Sequence, residues 1–164
     1  MGRPKEPLTG ICSADVVPRN VSWLWYQYIP MGELTIAEGD PGIGKGWFVY
    51  GLAAWISRGQ YPVGTGKQGK VLICSSEDER ETVIRPRLDI LGADHSQITI
   101  LSPWRAVLGD IPALGEFVRK ERFIFVDIDP ITSFLPPGVD PNKAEIIKPI
   151  LDRLVDQART DMFA

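Results

Sequence analysis

The stretch Glu38-Gly39-Asp40-Pro41-Gly42-Ile43-Gly44-Lys45-Gly46 spaces two glycines and a lysine as a phosphate-binding loop (P-loop) does. Glycines let successive backbone N–H groups turn inward around a polyphosphate, and a helix that starts at the loop aims its positive end at the same anion. Lys45 can then reach the β- and γ-phosphates. On this reading Gly39, Asp40, Pro41, Gly42, Ile43, Gly44, Lys45, Gly46 and Trp47 bind the nucleotide. The plain alternative is a Gly/Pro turn between a strand and a helix. Gly46 stands where such loops ordinarily carry Ser or Thr, whose hydroxyl ligates Mg²⁺. Binding and hydrolysis of a nucleotide are therefore separate questions for this chain.

Hydrolysis would need a strand-end acid for the metal and a carboxylate to polarise the attacking water. Asp127 and Asp129 lie two apart on one strand and share a face, so either could hold the metal. Asp129 is better placed, at the strand end before Pro130; a carboxylate at Asp127 sits beside Val126 and is costly unless paired. Glu77 is the first choice for the water-polarising acid and Asp78 the second. Both also suit the cap and first turn of the following helix. His95, the one histidine, has no obvious partner and reads as a surface residue. Arg85 and Arg87 flank Pro86 and could face phosphate, a neighbour or solvent. Trp23 and Trp25 suit burial against a sheet, with a wall near a nucleotide base as the functional alternative.

The elements that must position these residues alternate along the chain. Leu34-Thr35-Ile36-Ala37 reads as a short buried strand entering the loop, fed by a turn at Ile29-Pro30-Met31-Gly32. Trp47 to Ile56 reads as a helix, apolar on nearly every face and closed by Gly59. The run Val71-Leu72-Ile73-Cys74 predicts a central parallel strand. A helix through Val83, Ile84, Leu88 and Leu91 follows, kinked or restarted by Pro86 and ended by Gly92. Gln97 to Leu101 is a strand, Ser102 to Gly109 irregular, and Asp110 caps a helix through Leu114, Phe117 and Val118. Phe123-Ile124-Phe125-Val126 is a strand running into Asp127 and Asp129, residues 133–142 a loop, and Ile146 to Ala158 an amphipathic helix bent at Pro149. Val21 to Trp25 reads as an edge strand, and Ser13 to Val17 as a docking segment. The pattern predicts an α/β fold, a mostly parallel sheet with helices on both faces. Residues 1–12 form a loose polar lead and 13–164 one domain.

Composition sets bounds. The chain has 164 residues, enough for one domain with a core. Its formal net charge of −3 gives no global pull toward nucleic acid. No apolar run approaches the length of a membrane span and no secretory signal opens the chain. Two cysteines make no disulfide framework, so the cytoplasm is the default location.

Trp23-Leu24-Trp25, Ile29-Pro30-Met31-Gly32, the Gly39–Lys45 loop, Ser76-Glu77-Asp78, Arg85-Pro86-Arg87-Leu88 and Asp129-Pro130-Ile131-Thr132-Ser133-Phe134-Leu135 together resemble the AAA-domain family of RepA-like replicative helicases, from about residue 13 to 159. The resemblance implies a RecA-like P-loop ATPase fold, ATP or ADP and Mg²⁺ as ligands, a homo-oligomeric ring, and DNA replication or recombination work driven by ATP hydrolysis. It assigns Lys45 to the phosphates and to catalysis, Glu77 to the attacking water and Asp129 to the metal. The chain departs from the family at Gly46 and at Asp127, where an aliphatic residue is usual. It also stops at Ala164, before the further core strand and its polar sensor, so the domain reads as C-terminally truncated. These departures keep a second reading open: a nucleotide-binding module without turnover, serving a partner or regulator, or a fragment without function. A small-molecule P-loop kinase would want lid arginines late in the chain, and none is visible.

Overall fold

A computed structural model of the chain describes residues 9–101 and 107–164. Most of the expected N-terminal lead and the core of the irregular stretch after Leu101 lie outside the described residues.

The sheet is built from three parallel strands: β3 (Lys70–Ser75) in the middle, β4 (Ile98–Ile100) on one side and β5 (Phe123–Asp129) on the other. The apolar run of β3 is central because both of its faces are covered. Val71 and Ile73 point into one core and Leu72 and Cys74 into the other, all fully buried. Helix α1 (Lys45–Arg58) and helix α2 (Arg85–Ile90) contribute to the first core; α3 (Ile111–Glu121) and α4 (Ala144–Asp161) contribute to the second. The expectation of helices on both faces of a parallel sheet is met by these elements. A small antiparallel hairpin of β1 (Trp23–Trp25) and β2 (Ile29–Pro30) adds to the first core.

Several local readings hold for the reasons given. Gly59 closes α1 in a left-handed conformation, with φ 66°, its N–H bonded to the Ile56 carbonyl. Pro86 starts a second helical piece: a single wide turn over Arg80–Ile84 hands over to α2, which carries Pro86 in its first turn. Asp110 caps α3 by accepting a hydrogen bond from Ala113 N at 3.2 Å.

Four readings need correction. Leu34 to Ala37 is not a strand; no regular element lies between β2 and α1, and Ile36 is 68% exposed. The outer edge of β5, where such a strand could pair, is met by the tail. Ala164 N donates to Ile124 O, Val126 N donates to Ala164 O, and Gly32 N donates to Phe163 O. These bonds put Phe163 and Ala164 between the sheet and the segment leaving the hairpin. Ile29-Pro30 is a hairpin strand rather than part of a turn. Ser13–Asp15 forms one tight turn, but Ser13 to Val17 is exposed and does not dock. The first turn of α1 is open rather than covered, with Trp47 44% and Phe48 48% exposed, while Tyr50 to Ala54 are buried.

Candidate functional site

The glycine loop runs directly into α1, with Gly44 at φ 99° as the residue before the helix. Gly39, Gly42 and Gly44 all have positive φ, the backbone state that an anion cradle requires and that other residues resist. A cleft of about 300 Å³ lies here, lined by Ala37, Glu38, Ile43, Gly44, Lys45 and Phe48. Lys45 Nζ curls over the loop and donates to the carbonyls of Gly39 at 2.7 Å and Asp40 at 3.0 Å.

Opposite α1, the rows Phe125-Asp127-Asp129 of β5 and Ile73-Ser75 of β3 share one face of the sheet, in register at Ile73–Asp127 and Ser75–Asp129. Phe125 and Ile73 are buried under α1, and the carboxylates continue their row toward the strand end. Burial, then the neighbouring charge of Asp129, pushes Asp127 up to about 7. Burial also raises Asp129, with Asp78 adding to the rise and Lys45 opposing it. Asp129 is thus the strand-end acid that feels the loop lysine.

After β3, Glu77 is exposed and Asp78 turns inward. Asp78 N is held by Ser75 Oγ at 3.2 Å. Its carboxylate accepts from Tyr50 OH at 2.8 Å and from Arg87 Nη1 at 2.8 Å. Burial, and next the Asp78 acceptor, keep the Tyr50 phenol protonated far above its ordinary range. Arg87 lies over the rings of Trp47 and Tyr50, with its Cζ 5.4 and 5.7 Å from the two centroids. Arg85, by contrast, pairs with Asp89 one helical turn away on an exposed face.

The structure therefore gathers Lys45, Gly46, Asp129 and Asp78 on one side of the sheet and leaves Glu77 on the surface. Tyr50 was not foreseen, and of the alternatives open for Arg87 the structure takes an inward one, against Asp78. Their signal was a hydroxyl-bearing ring one turn after Gly46 on an apolar helix, and an arginine one residue beyond a helix-restarting proline. His95 is corrected too: its Nε2 lies 2.8 Å from Asp89 Oδ1, so it has a partner. Trp25 is buried far from the loop, against Trp55 near the other end of α1 and Tyr28, its Nε1 donating to Val63 O. It builds the core rather than a wall for a base.

The donor set does not fit the usual P-loop magnesium site. Gly46 brings no hydroxyl, and a Cβ built on it would meet Arg87 Nη1 at 3.4 Å and Asp78 Oδ2 at 3.8 Å. A guanidinium and its carboxylate partner border the position where such loops ordinarily carry a hydroxyl. Among the described residues no group of three or more His, Cys, Asp or Glu side chains is arranged to hold a metal ion. Nor, among them, is any helix long and apolar enough to cross a membrane.

A family model described as an AAA domain matches residues 6–162. No curated protein matches the chain.

Proposed function

Since the chain belongs to the AAA domain family, whose members bind nucleotide, we propose that it binds ATP and ADP at Gly39–Trp47 as the motor domain of a RepA-like, RecA-fold DNA helicase. The observation that carries the reading is the positive-φ glycine loop opening onto the N-terminus of α1, with Lys45 folded over it. Lys45 moves from its loop carbonyls to the β- and γ-phosphates and exchanges neutral acceptors for anionic ones. Glu77 is the proposed acid for the attacking water. Asp129 is the proposed carboxylate toward any cation that arrives on the phosphates. In this reading the chain works on DNA as part of a homo-oligomeric ring, in replication or recombination.

Gly46 favours a second reading, binding with little turnover, because phosphoryl transfer depends on positioning and charge neutralisation that a metal-held hydroxyl normally serves. Two measurements separate the readings. Titration with ATP should give saturable binding that Lys45→Ala weakens by about tenfold or more, the scale of a charge-assisted phosphate contact. An ATPase assay with and without DNA should show DNA-stimulated release of phosphate if the motor reading is right. Binding without release supports the module; an unchanged affinity in folded Lys45→Ala rejects the loop assignment.

A further inference from the structure

We propose that Arg87 is a second phosphate-binding cation of this site, filling the place next to Gly46 that a hydroxyl and its magnesium ion normally take, so that the nucleotide is held with little dependence on magnesium. The inference rests on the nucleotide reading of the loop and deepens it.

The placement comes from three independent supports. Asp78 holds Nη1 from the β3 side, and the rings of Trp47 and Tyr50 flank the guanidinium from α1. Gly46 faces the same group: a Cβ there would touch Nη1 at 3.4 Å. A side chain at position 46 would stand in contact with both the guanidinium and its Asp78 partner. Arginine carries five N–H donors in a fixed fork matched to phosphate oxygens. Among the described residues its hydrogen bond to Asp78 uses Nη1, which leaves other N–H groups of the fork for an anion. Asp78 offsets part of its charge, and the N–H groups turned away from that carboxylate are the ones that would meet phosphate oxygens.

The alternative is that Arg87 only ties α2 to β3. The ratio of nucleotide affinities with and without magnesium separates the two, because a purely structural tie would alter both affinities together. ATP is titrated into the whole chain in excess magnesium and in excess chelator, for the native protein, Arg87→Met, Lys45→Ala and Gly46→Ser/Arg87→Met. Methionine keeps apolar contact with the rings and removes the charge. The native protein should bind with affinities within about threefold of each other in the two buffers, and Arg87→Met should lose about tenfold or more in chelator, with partial rescue by magnesium. The double variant should recover the larger magnesium dependence of a hydroxyl-bearing loop. A native protein that loses about tenfold or more in chelator overturns the proposal without any variant. So does a folded Arg87→Met whose affinity in chelator stays native. If Lys45→Ala weakens binding while Arg87→Met does not, the loop reading stands and this inference alone falls; if neither weakens it, both fall.

Discussion

Asp127 is a carboxylate set one position inside the row that ends at Asp129, under Tyr50 of α1. Burial raises it from an ordinary 3.8 to about 7. The folded chain therefore keeps this proton over a pH range in which the unfolded chain has released it. Where the native state binds more protons, stability falls as pH rises. The contribution is undiminished below pH 3.8 and is lost between there and about 7. Asp127→Val removes the titration and the uncompensated charge, so the variant should melt at least as high as the native protein at pH 7. Its advantage in melting temperature should shrink as the pH is lowered toward 4, by thermal denaturation across a pH series. An advantage that grows at low pH would place the carboxylate in a stabilising pair. At position 129 the expected effect differs: Asp129→Asn removes the strand-end charge that Lys45 stabilises, so folded protein should lose whatever magnesium adds to ATP affinity, a loss read most clearly in the Gly46→Ser/Arg87→Met background, with no comparable change in melting temperature.

At the scale of elements, the start of α3 and the end of α1 lie where local chemistry says they should. Asp110 satisfies a free N–H of the first turn of α3 through Ala113, and losing such a cap costs about 0.5–2 kcal/mol. Asp110→Ala should lower stability by that amount in urea denaturation without a change in slope, and Asp110→Asn should retain most of it. Gly59 is the tighter case. Its φ of 66° and a would-be Cβ 2.8 Å from Gln68 Cβ mean that Gly59→Ala suffers both conformational strain and a clash, about 1–3 kcal/mol. These boundaries were legible because capping is written in a few adjacent residues. The segment Leu34 to Ala37 was not. Its apolar run is a fair strand, but whether it pairs depends on what else reaches the β5 edge, and that is decided by Phe163 and Ala164, far along the chain. The same limit applied to Arg87. Its helix was readable, but its orientation toward Asp78 and Gly46 depends on how the wide turn before Pro86 rotates α2 over the first turn of α1.

At the scale of the whole molecule, β3 is the partition between two apolar cores. Leu72 faces the α3–α4 side and Ile73 the α1–α2 side, and both are fully buried. Each truncation to alanine should cost about 2–5 kcal/mol, since the strand is held by partners on both faces and cannot collapse into the gap. Because one strand carries both cores, each variant should lower a single cooperative transition rather than split it in two. Two separate transitions would mean that the layers unfold independently. The burial of this strand on both faces was evident from its continuous apolar run. The division of helices between the layers was not, because apolar faces alone do not say which side of a sheet each helix takes.

The two thiols sit in opposite circumstances. Cys12 is exposed, while Cys74 is buried in β3 with its thiol pushed up to about 12 by burial, and next by the Asp127 charge. Only a thiolate attacks an alkylating reagent, so at neutral pH the folded chain offers one reactive sulfur. A maleimide dye should attach once, at Cys12, giving a single-colour reporter without any engineering. The second attachment then becomes a clock. Cys74 can be modified only when the strand between the two cores is released, so the slow appearance of a doubly labelled mass measures how often the native domain opens.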